Sequence, residues 1–370
     1  MKKQNLFISV LFCLFLAVMP LLTLLLPHKS FSEQENRNLA APPRLSEQSL
    51  RSGRFMEDAE DWVSDHMVLR DQWVRLKALA ERLSGKRENN DVYFCAGDTL
   101  IKRVDEPDEA QIKKNVEAVR VFAEKAGVPV RFALIPTAAS VWADRLPANA
   151  PTADETAWIS RLSAQTDCGG PDVAGALQAH RDEELYYRTD HHWTSLGARY
   201  AADAILADCG LPLLREEELR PRVVSESFYG TVYSRAGAWW VKPDRITTLV
   251  PEDGIRVISN FTGTETAGSL YVPSRLEEKN KYAFFLGGNQ PVCVVQSPAA
   301  GPKLLLIRDS YSDSLVPLLS LRFSEIHLLD LRYYRLSPTE YIEAHGLDEA
   351  LVLYSLPTFL EDRNLILLKR

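Results

Sequence analysis

The longest uninterrupted run of apolar residues lies at the start of the chain. Lys2 and Lys3 precede an uncharged run over residues 5–26, which is about as long as a bilayer core is thick and has positive charge on its N-terminal side. The run exceeds the apolar part of most signal peptides, and no small-residue cleavage site follows it. Residues 1–27 fit a cleaved signal peptide or an uncleaved transmembrane anchor. We favour the anchor, which predicts a single-pass protein of the cell membrane with its folded part outside the cytoplasm.

After the anchor, a polar segment precedes a long segment in which apolar and polar residues alternate. Residues 28–50 are polar with a proline pair, which predicts an extended stalk. Residues 51–370 carry the apolar periodicities of one folded domain. Helical spacing recurs over residues 52–84, where it predicts two helices around "SDHMVLRDQ". It recurs over residues 107–126, where it predicts a helix that Gly127 ends.

Strand-like patterns alternate with helices in the rest of the domain. "DVYFCAGDTLIK" predicts a hairpin, "VPVRFALIPTAAS" a buried parallel strand and "ELYYRTDHHW" a strand that runs into a turn. Helix-like runs occur over residues 151–167 and in "TSLGARYAADAILADCG". Residues 211–300, rich in β-forming residues and turns, predict a β-rich insertion or cap.

The C-terminal part repeats strand, helix and strand. The predicted strands are "PKLLLIRDS", "EIHLLDLR" and "DEALVLYSL", and the helices between them are "SDSLVPLLSLRF" and "SPTEYIEAHG". Such repeats imply right-handed crossovers within a parallel sheet. The predicted fold class is therefore α/β: a parallel sheet flanked by helices, with the β-rich insertion at about 211–300 and the N-terminal anchor.

Composition excludes one class of partner and leaves the state of the cysteines open. The chain has 370 residues, of which 46% are hydrophobic and 25% charged, as in a protein with a packed core. A net charge of −7 without a lysine- or arginine-rich run argues against nucleic acid as a partner. None of the cysteines has metal-ligand spacing. Outside the cytoplasm, Cys95, Cys168, Cys209 and Cys293 could form up to two disulfides or remain buried thiols.

Reactive residue types follow three of the predicted strands. Asp190, His191 and His192 come after "ELYYRT", Ser310 after "KLLLIRD", and Arg332 after "IHLLDL". Functional groups gather at the carboxyl ends of strands in open parallel sheets. A serine hydroxyl becomes a nucleophile when an imidazole takes its proton, and a carboxylate can orient that imidazole. The sequence therefore predicts a nucleophile, base and carboxylate at one sheet edge.

Each of these residues also has a structural explanation. Aspartate and serine commonly cap helices, so Ser310 alone does not establish a nucleophile. Arg332 could contact an anionic substrate or form a salt bridge. The histidines could hold a metal ion, but neighbouring side chains of an extended segment point to opposite faces, which separates His191 from His192. We therefore favour an Asp190–His192 pair and expect no metal.

Several blocks of the chain resemble one known family. "RTDHHWTSLGARYAA" resembles the block that names the DHHW proteins, membrane-anchored proteins mostly of Gram-positive bacteria. The resemblance covers nearly the whole chain and includes "FSEQENRNLA", "SDHMVLRDQWVRLK", "FYGTVYSRAG" and "LLLIRDSYSDSLVPLL". The family is similar to SGNH-hydrolase-like alginate O-acetyltransferases of the bacterial envelope. In these, an Asp-x-His-Trp block precedes the serine, the reverse of the order in ordinary SGNH hydrolases, as in a circular permutation.

The resemblance assigns roles to the residues of the quoted blocks. It implies that Ser310 is the nucleophile, His192 the base and Asp190 the residue that orients the base. Trp193 would pack the block, and His191 takes a variable position whose role stays open.

The resemblance is incomplete around the nucleophile. Arg308 and Asp309 precede Ser310, where the acyltransferases carry a small residue and then Thr or Ser. For the oxyanion contacts of SGNH enzymes, Gly288 and Asn289 in "FLGGNQP" are the candidates.

The resemblance implies an extracytoplasmic serine acyltransferase that O-acetylates hydroxyls of a cell-envelope polysaccharide or exopolysaccharide through an acyl-serine. An acetyl donor would be the co-substrate, without a cofactor, and a membrane acetyl carrier could supply it. A carbohydrate acetyl esterase shares the same acyl-enzyme. A non-catalytic glycan-binding or assembly protein is the third interpretation, and the sequence does not decide among them.

Overall fold

The computed structural model describes residues 2–32 and 37–370, so part of the predicted stalk, residues 33–36, lies outside the described residues. The described chain forms two compact units. One comprises the residues up to Asn89 together with Ser234–Trp240, and the other comprises Asn90–Tyr233 and Val241–Arg370.

The first unit is mainly helical. Its elements are α1 (Lys2–Leu25), β1 (Phe31–Ser32), β2 (Arg37–Asn38), α2 (Glu47–Arg51), α3 (Arg54–His66), α4 (Arg70–Leu83) and β3 (Glu88–Asn89). Among the described residues, α1 is the one helix long and apolar enough to cross a membrane, a property that signal sequences share. The two helices predicted within residues 52–84 are confirmed as α3 and α4, and the chain turns between them at Leu69, whose φ is +60°.

The second unit contains the sheet and its covering helices. Its strands are β4 (Val92–Phe94), β5 (Leu100–Lys102), β6 (Val130–Ile135), β7 (Arg222–Phe228), β8 (Asp244–Thr248), β9 (Arg256–Asn260), β10 (Thr266–Gly268), β11 (Val292–Gln296), β12 (Lys303–Arg308), β13 (Glu325–Leu329) and β14 (Glu349–Ser355). The remaining helices of the chain are α5 (Glu109–Lys125), α6 (Ala138–Val141), α7 (Glu155–Thr166), α8 (Val173–Ala179), α9 (Ser195–Asp208), α10 (Thr231–Ala236), α11 (Val316–Leu319), α12 (Pro338–His345) and α13 (Leu356–Glu361). The predicted hairpin is confirmed as the antiparallel pair β4–β5.

Capping residues set the ends of several of these helices. The Asp108 side chain accepts a hydrogen bond from the Ala110 N–H at the start of α5, and the Thr194 side chain accepts one from Gly197 at the start of α9. At the end of α12, Gly346 takes the left-handed conformation with φ +59°, which stops the helix.

The main sheet has seven strands in the order β10-β9-β11-β13-β12-β14-β6. Strands β13, β12, β14 and β6 are parallel, whereas β11 pairs antiparallel with both β13 and β9. The strands predicted to be parallel, β6, β12, β13 and β14, are confirmed, but the sheet as a whole is mixed, because part of the 211–300 insertion extends the sheet itself. Strand β11 is buried on both faces, so its apolar pattern does not reveal its direction.

The core lies on both faces of the sheet, and β12 contributes to each. Leu304 and Leu306 pack in the cluster that contains α9, while Leu305 and Ile307 pack with α5 and α13 on the other face. A strand buried in this way fixes the position of the residues that follow it. Ser310 begins a short 3-10 helix, Ser310–Ser314, directly after β12.

Two further predictions are corrected. "ELYYRTDHHW" is a loop rather than a strand, closed by a single antiparallel bridge between Tyr186 and Trp193 and by a hydrogen bond from the Tyr187 N–H to the His192 carbonyl at 3.1 Å. The buried side chains of Tyr186 and Tyr187 explain its strand-like pattern. The helix predicted in "SDSLVPLLSLRF" is reduced to a 3-10 turn and α11. The five cysteines, all within the described residues, are free thiols.

Candidate active site

Ser310, His192 and Asp190 form a continuous chain of hydrogen-bonded side chains. The Nε2 atom of His192 lies 2.8 Å from Ser310 Oγ, and its Nδ1 atom lies 2.5 Å from Asp190 Oδ1. Asp190 and His192 are buried, whereas Ser310 is partly exposed. The structure thus brings together the three residues that the sequence singled out, and Ser310 is the most exposed of them.

Asp190 is held by more than its histidine. Its Oδ2 atom accepts hydrogen bonds from the Thr231 N–H at 2.7 Å and the Thr231 hydroxyl at 3.0 Å. Burial by itself raises the pKa of the Asp190 carboxyl, but the adjoining imidazoles of His191 and His192, together with these hydrogen bonds, hold it well below its ordinary value. Asp190 is therefore ionised at neutral pH and can anchor the Nδ1–H of His192.

A glycine allows the close approach of Thr231 to Asp190. A Cβ atom built on Gly230 would lie 2.2 Å from both the Cβ and the Oδ2 atoms of Asp190. The Gly230 N–H also donates to the Thr189 hydroxyl at 3.2 Å. The Gly-Thr pair of "FYGTVYSRAG" therefore serves as a support for the carboxylate.

Asp244 of β8 holds the loop that carries Asp190 by accepting hydrogen bonds from the two residues that precede Asp190. The Asp244 carboxylate accepts the backbone N–H of Arg188 at 3.1 Å and that of Thr189 at 2.8 Å. It also accepts the Thr189 hydroxyl at 2.6 Å. These contacts hold the segment before Asp190 in one conformation without a sheet ladder.

An aromatic ring covers the His192 imidazole. Tyr282 stacks on His192 with ring centroids 3.8 Å apart and an interplanar angle of 10°. The Tyr282 hydroxyl lies 3.0 Å from Ser314 Oγ, within the turn that begins at Ser310. Burial raises the pKa of Tyr282 well above its ordinary value, so the ring is neutral. Tyr282 restricts the rotation of His192 and connects it to the serine turn.

Trp193 and Tyr311 tie the two segments of the site together. The Trp193 indole N–H lies 2.9 Å from the Tyr311 carbonyl and 3.0 Å from Ser314 Oγ. In return, the Tyr311 hydroxyl donates to the His191 carbonyl. Both side chains are buried. The residue expected to pack the block therefore also supplies a hydrogen bond across it.

His191 lies closer to His192 than the sequence predicted. The ring centroids are 3.8 Å apart, so the assumption that the two side chains point to opposite faces is wrong; the segment is a tight loop rather than an extended strand. The Nδ1 atom of His191 lies 2.8 Å from Thr231 Oγ1. Desolvation and, after it, the neighbouring His192 lower the pKa of His191.

The Asp190, His191 and His192 side chains also meet a geometric criterion for metal binding. One ligand atom of each lies within 4.8 Å of the others. The Asp190 carboxylate and the Nδ1 atoms of both imidazoles already take part in hydrogen bonds: His192 Nδ1 bonds to Asp190, and His191 Nδ1 bonds to Thr231 of α10. An ion at these atoms would have to displace those bonds.

The two residues before Ser310 have structural partners. Asp309 accepts the Tyr311 N–H at 3.1 Å and, through its other oxygen, the Ser355 N–H at 2.9 Å and hydroxyl at 2.6 Å. Arg308 is fully buried, and its Nη1 atom lies 2.9 Å from Asp313 Oδ1. Burial alone lowers the pKa of Arg308, yet attraction to Asp313 keeps it above the ordinary value. The buried ion pair connects the two ends of the serine turn.

Of the two oxyanion candidates, Gly288 already uses its N–H within its own turn, donating to the Phe285 carbonyl at 3.3 Å. The Asn289 Oδ1 atom accepts from Arg308 Nη1 at 3.2 Å, which places this side chain beside the strand that leads to Ser310.

Arg332 forms a bidentate pair with Asp330, at 2.9 Å through Nε and 2.7 Å through Nη2. The ion pair leaves Arg332 partly exposed. Its charge also contributes to lowering the pKa of His191.

Sequence reasoning assigned no role to several residues that build the site. They are Gly230, Thr231, Asp244, Tyr282 and Tyr311. The block "FYGTVYSRAG" was the one available signal for the first two. The others are common residue types far from "DHHW" in sequence, so only the fold shows their proximity.

Comparison with known proteins gives the family. The model of the family described as "DHHW protein" matches residues 116–329. The chain belongs to the DHHW family. Its structure is similar to that of a DHHW family protein from Eubacterium siraeum, with a TM-score of 0.65 and 24% identity, over 76% of this chain and 95% of that one.

The chain is also similar to two proteins that are not described as DHHW proteins. The structure of Bacillus cereus PatB1 with a sulfonyl adduct aligns with a TM-score of 0.61 and 19% identity, over 74% of this chain and 98% of that one. A probable alginate O-acetylase AlgJ of Pseudomonas syringae pv. tomato is 29% identical over 104 residues, which is 27% of each chain. The chain thus aligns with about a quarter of that curated relative.

Proposed function

We propose that this DHHW protein is a serine acyltransferase that transfers acetyl groups to hydroxyls of a cell-envelope polysaccharide or exopolysaccharide. The observation that carries the proposal is the hydrogen-bonded chain from Asp190 through His192 to the hydroxyl of Ser310, a partly exposed residue. This is the arrangement that acyl transfer through a covalent serine requires.

The first half-reaction would acylate the enzyme. The Ser310 Oγ atom attacks the carbonyl carbon of the acetyl donor while His192 Nε2 takes the hydroxyl proton. The tetrahedral intermediate collapses, the bond to the donor's leaving group breaks, and His192 returns the proton to that group. Ionised Asp190 keeps the proton on Nδ1 and stabilises the imidazolium that forms in each step.

The second half-reaction would release the acetyl group to the acceptor. A sugar hydroxyl enters, His192 takes its proton, and its oxygen attacks the acyl carbonyl. Collapse of this intermediate breaks the ester to Ser310, whose oxygen recovers the proton from His192. Water in place of the sugar would complete the same cycle as an esterase, so the occupant of the acceptor position decides between transfer and hydrolysis.

Two side chains are proposed to contact the reacting molecules. The Oδ1 atom of Asn289 accepts from Arg308, which leaves the amide N–H group of the same side chain to donate to the oxyanion. Arg332 keeps part of its guanidinium exposed beside Asp330 and would contact the substrate. No cofactor enters this scheme, because the acetyl donor is a co-substrate.

The comparisons support the acetyl and polysaccharide parts of the proposal. The AlgJ relative is described as a probable alginate O-acetylase. The apolar helix α1 supports placing the reaction at the outer side of the cell membrane, with a membrane acetyl carrier as the proposed source of the acetyl group.

The test uses the full chain in detergent with a chromogenic acetyl ester as donor. We expect turnover by the native protein and loss of turnover in Ser310→Ala. Ser312→Ala is the matched control, because it makes the same change two residues away at a buried hydroxyl without a hydrogen-bond partner, and it should retain activity. Turnover that survives Ser310→Ala would contradict the nucleophile assignment.

The product then separates transferase from esterase. With an acetylated donor and a soluble polysaccharide, a transferase places the acetyl group on sugar, whereas an esterase releases acetate only. Absence of turnover with every donor, together with glycan binding, would favour the non-catalytic interpretation.

A further inference from the structure

The turn that follows β13 leaves the sheet beside Ser310. Strands β12 and β13 are parallel, and Ile307 is paired with Leu329. Ser310 and Arg332 each come three residues after this pair, and neighbouring strands of a sheet are about 4.8 Å apart. The segments that bear Ser310 and Arg332 therefore leave the sheet side by side.

The electrostatics of Arg332 show the same proximity. Burial by itself lowers the pKa of Arg332, but the hydrogen bonds to Asp330, together with the charges of Asp330 and Asp309, hold it above its ordinary value. Asp309 directly precedes Ser310, and the Arg332 charge acts in turn on the pKa of His191. Arg332 thus lies within electrostatic reach of both segments that build the site.

A single buried residue, Asp330, fixes the turn. Its carboxylate accepts the Arg332 backbone N–H at 3.1 Å, in addition to the two guanidinium contacts at 2.9 and 2.7 Å. Its carbonyl accepts the N–H groups of Tyr333 at 3.0 Å and Tyr334 at 2.8 Å. The Arg335 guanidinium donates to the Arg332 carbonyl at 2.8 Å. The side chains that this turn presents are therefore held on a well-ordered backbone, as a binding site requires.

The two tyrosines of the turn differ in exposure. Tyr334 is buried and packs edge to face on Tyr341, with the ring centroids 5.8 Å apart. Tyr333 is 50% exposed. The guanidinium carbon of Arg332 lies 5.8 Å from the centre of the Tyr333 ring, and the Arg332 side chain is 32% exposed. The turn thus presents an aromatic ring and a guanidinium group next to each other.

This combination suits a sugar ring. A pyranose has C–H groups that pack on an aromatic ring and hydroxyls at its edge that accept hydrogen bonds. Asp330 occupies the Nε and Nη2 atoms of Arg332, and within the described part of the chain Nη1 makes no hydrogen bond, so Nη1 can donate to a ligand. Because the Asp330 carboxylate matches the charge of Arg332, the pair offers a donor for a hydroxyl rather than a net positive charge.

We propose that Tyr333 and Arg332 form the acceptor subsite, which holds the sugar unit that receives the acetyl group. The pyranose ring stacks on Tyr333, and one of its hydroxyls accepts from Arg332 Nη1. This inference rests on the proposed acyl transfer at Ser310 and adds the residues that recognise the acceptor.

The test compares sugar esters with an ester that has no ring, using the full chain in detergent. Acetyl transfer to a hydroxyl is reversible, so an acetylated sugar that occupies the acceptor subsite can acetylate Ser310. The sugar probes are the mono-O-acetylated methyl pyranosides of glucose, galactose and mannose, and ethyl thioacetate is the probe without a ring. Mass spectrometry of the protein gives the rate of Ser310 acetylation at a series of probe concentrations.

Tyr333→Ala should raise the concentration for half-maximal acetylation about tenfold for the best sugar ester, and by much less for ethyl thioacetate. Tyr333→Phe keeps the ring and should restore the native value. Trp239→Ala is the matched control, because Trp239 is also 50% exposed but belongs to the other compact unit. It should leave the rates with both kinds of probe unchanged.

Three results with Tyr333 would overturn the subsite: an equal change for both kinds of probe in Tyr333→Ala, no change for either, or a loss in Tyr333→Phe as large as in Tyr333→Ala. Acetylation of Ser310 by ethyl thioacetate but by none of the sugar esters would also overturn it, while leaving the nucleophile assignment in place. No acetylation of Ser310 by any probe would contradict the proposed function itself, and this inference with it.

Discussion

The Trp193 indole N–H donates to the backbone carbonyl of Tyr311, and the Tyr311 hydroxyl donates back to the carbonyl of His191. The two bonds connect the loop that bears His192 with the turn that bears Ser310, although 118 residues separate Trp193 from Tyr311 in sequence. The distance between the imidazole and the hydroxyl thus depends on this reciprocal contact as well as on the sheet.

Trp193→Phe should weaken both stability and activity. It removes a buried donor while keeping an aromatic ring, which costs about 1–3 kcal/mol of unfolding free energy. Because Tyr311→Phe removes the other bond between the same segments, the double variant should be non-additive by about 0.5–3 kcal/mol. Urea unfolding and kcat measure these effects. Trp158→Phe is the control, since the Trp158 indole N–H donates to the Glu106 carboxylate at 3.3 Å in an exposed contact. An equal loss of unfolding free energy and kcat in Trp158→Phe would contradict the account.

Gly230→Ala should displace Asp190. The new Cβ would lie 2.2 Å from the Asp190 Oδ2 atom, so the carboxylate must move away from His192. Misplacement of this kind costs about 10²-fold in rate, and we expect a loss of that order in kcat for ester turnover. Gly263→Ala provides the comparison, because a Cβ there meets no atom within 4 Å. Its φ of +86° strains an alanine at this exposed position, so the control should lose some stability while kcat stays unchanged. Normal turnover in Gly230→Ala would refute the support role of this glycine.

The Thr231 hydroxyl should matter through Asp190 rather than through substrate. Thr231→Val keeps the shape and the backbone donor but removes the 3.0 Å hydroxyl bond to Oδ2, and removal of one hydrogen bond to a charged group costs about 1.5–3 kcal/mol. We expect kcat to fall while KM changes little. Thr231→Ser should restore kcat. A rise confined to KM, without rescue by serine, would instead point to a substrate contact.

Glu155 should make stability depend on pH. Its carboxyl is buried, and desolvation raises its pKa from 4.5 to about 7 despite two hydrogen bonds from Thr137. A carboxyl with a raised folded-state pKa favours folding when protonated. Its contribution is full below pH 4.5 and is lost as pH rises through about 7, a change on the order of 3 kcal/mol.

Glu155→Gln removes this titration while keeping an acceptor for Thr137. The unfolding free energy of the native protein should therefore fall relative to that of the variant between pH 5 and pH 8, as measured by urea unfolding. Glu340→Gln, at an exposed position of α12, should leave the slope unchanged. A parallel pH dependence in native protein and Glu155→Gln would exclude the effect.

The strands of the sheet could be predicted because their burial follows from local sequence. Strands β12, β13 and β14 are buried on both faces, and the helix between β13 and β14, α12, has a clear cap at Ser337. The direction of β11 could not be predicted in this way. A strand buried on both faces has the same composition whether its neighbours are parallel or antiparallel, so the direction depends on the path of the connecting chain.

The meeting of Asp190, His192 and Ser310 was predicted from an argument that was partly wrong. Ser310 does follow a central strand, but Asp190 and His192 lie on a loop outside the sheet. The partners that hold them come from distant segments, as Tyr282 and Thr231 show. Such contacts leave no local pattern, because a tyrosine or threonine is as common on a surface as in a site.

The most direct test of the proposed function is to locate the acetyl group during turnover. The full chain is mixed with a chromogenic acetyl ester and quenched in acid during the first turnover, and its peptides are then analysed by mass spectrometry. The account predicts one acetyl group on the peptide with Ser310, at the hydroxyl of that residue, and its absence in Ser310→Ala and His192→Ala. An acetyl group on another residue, or an unlabelled enzyme that still turns over, would contradict it.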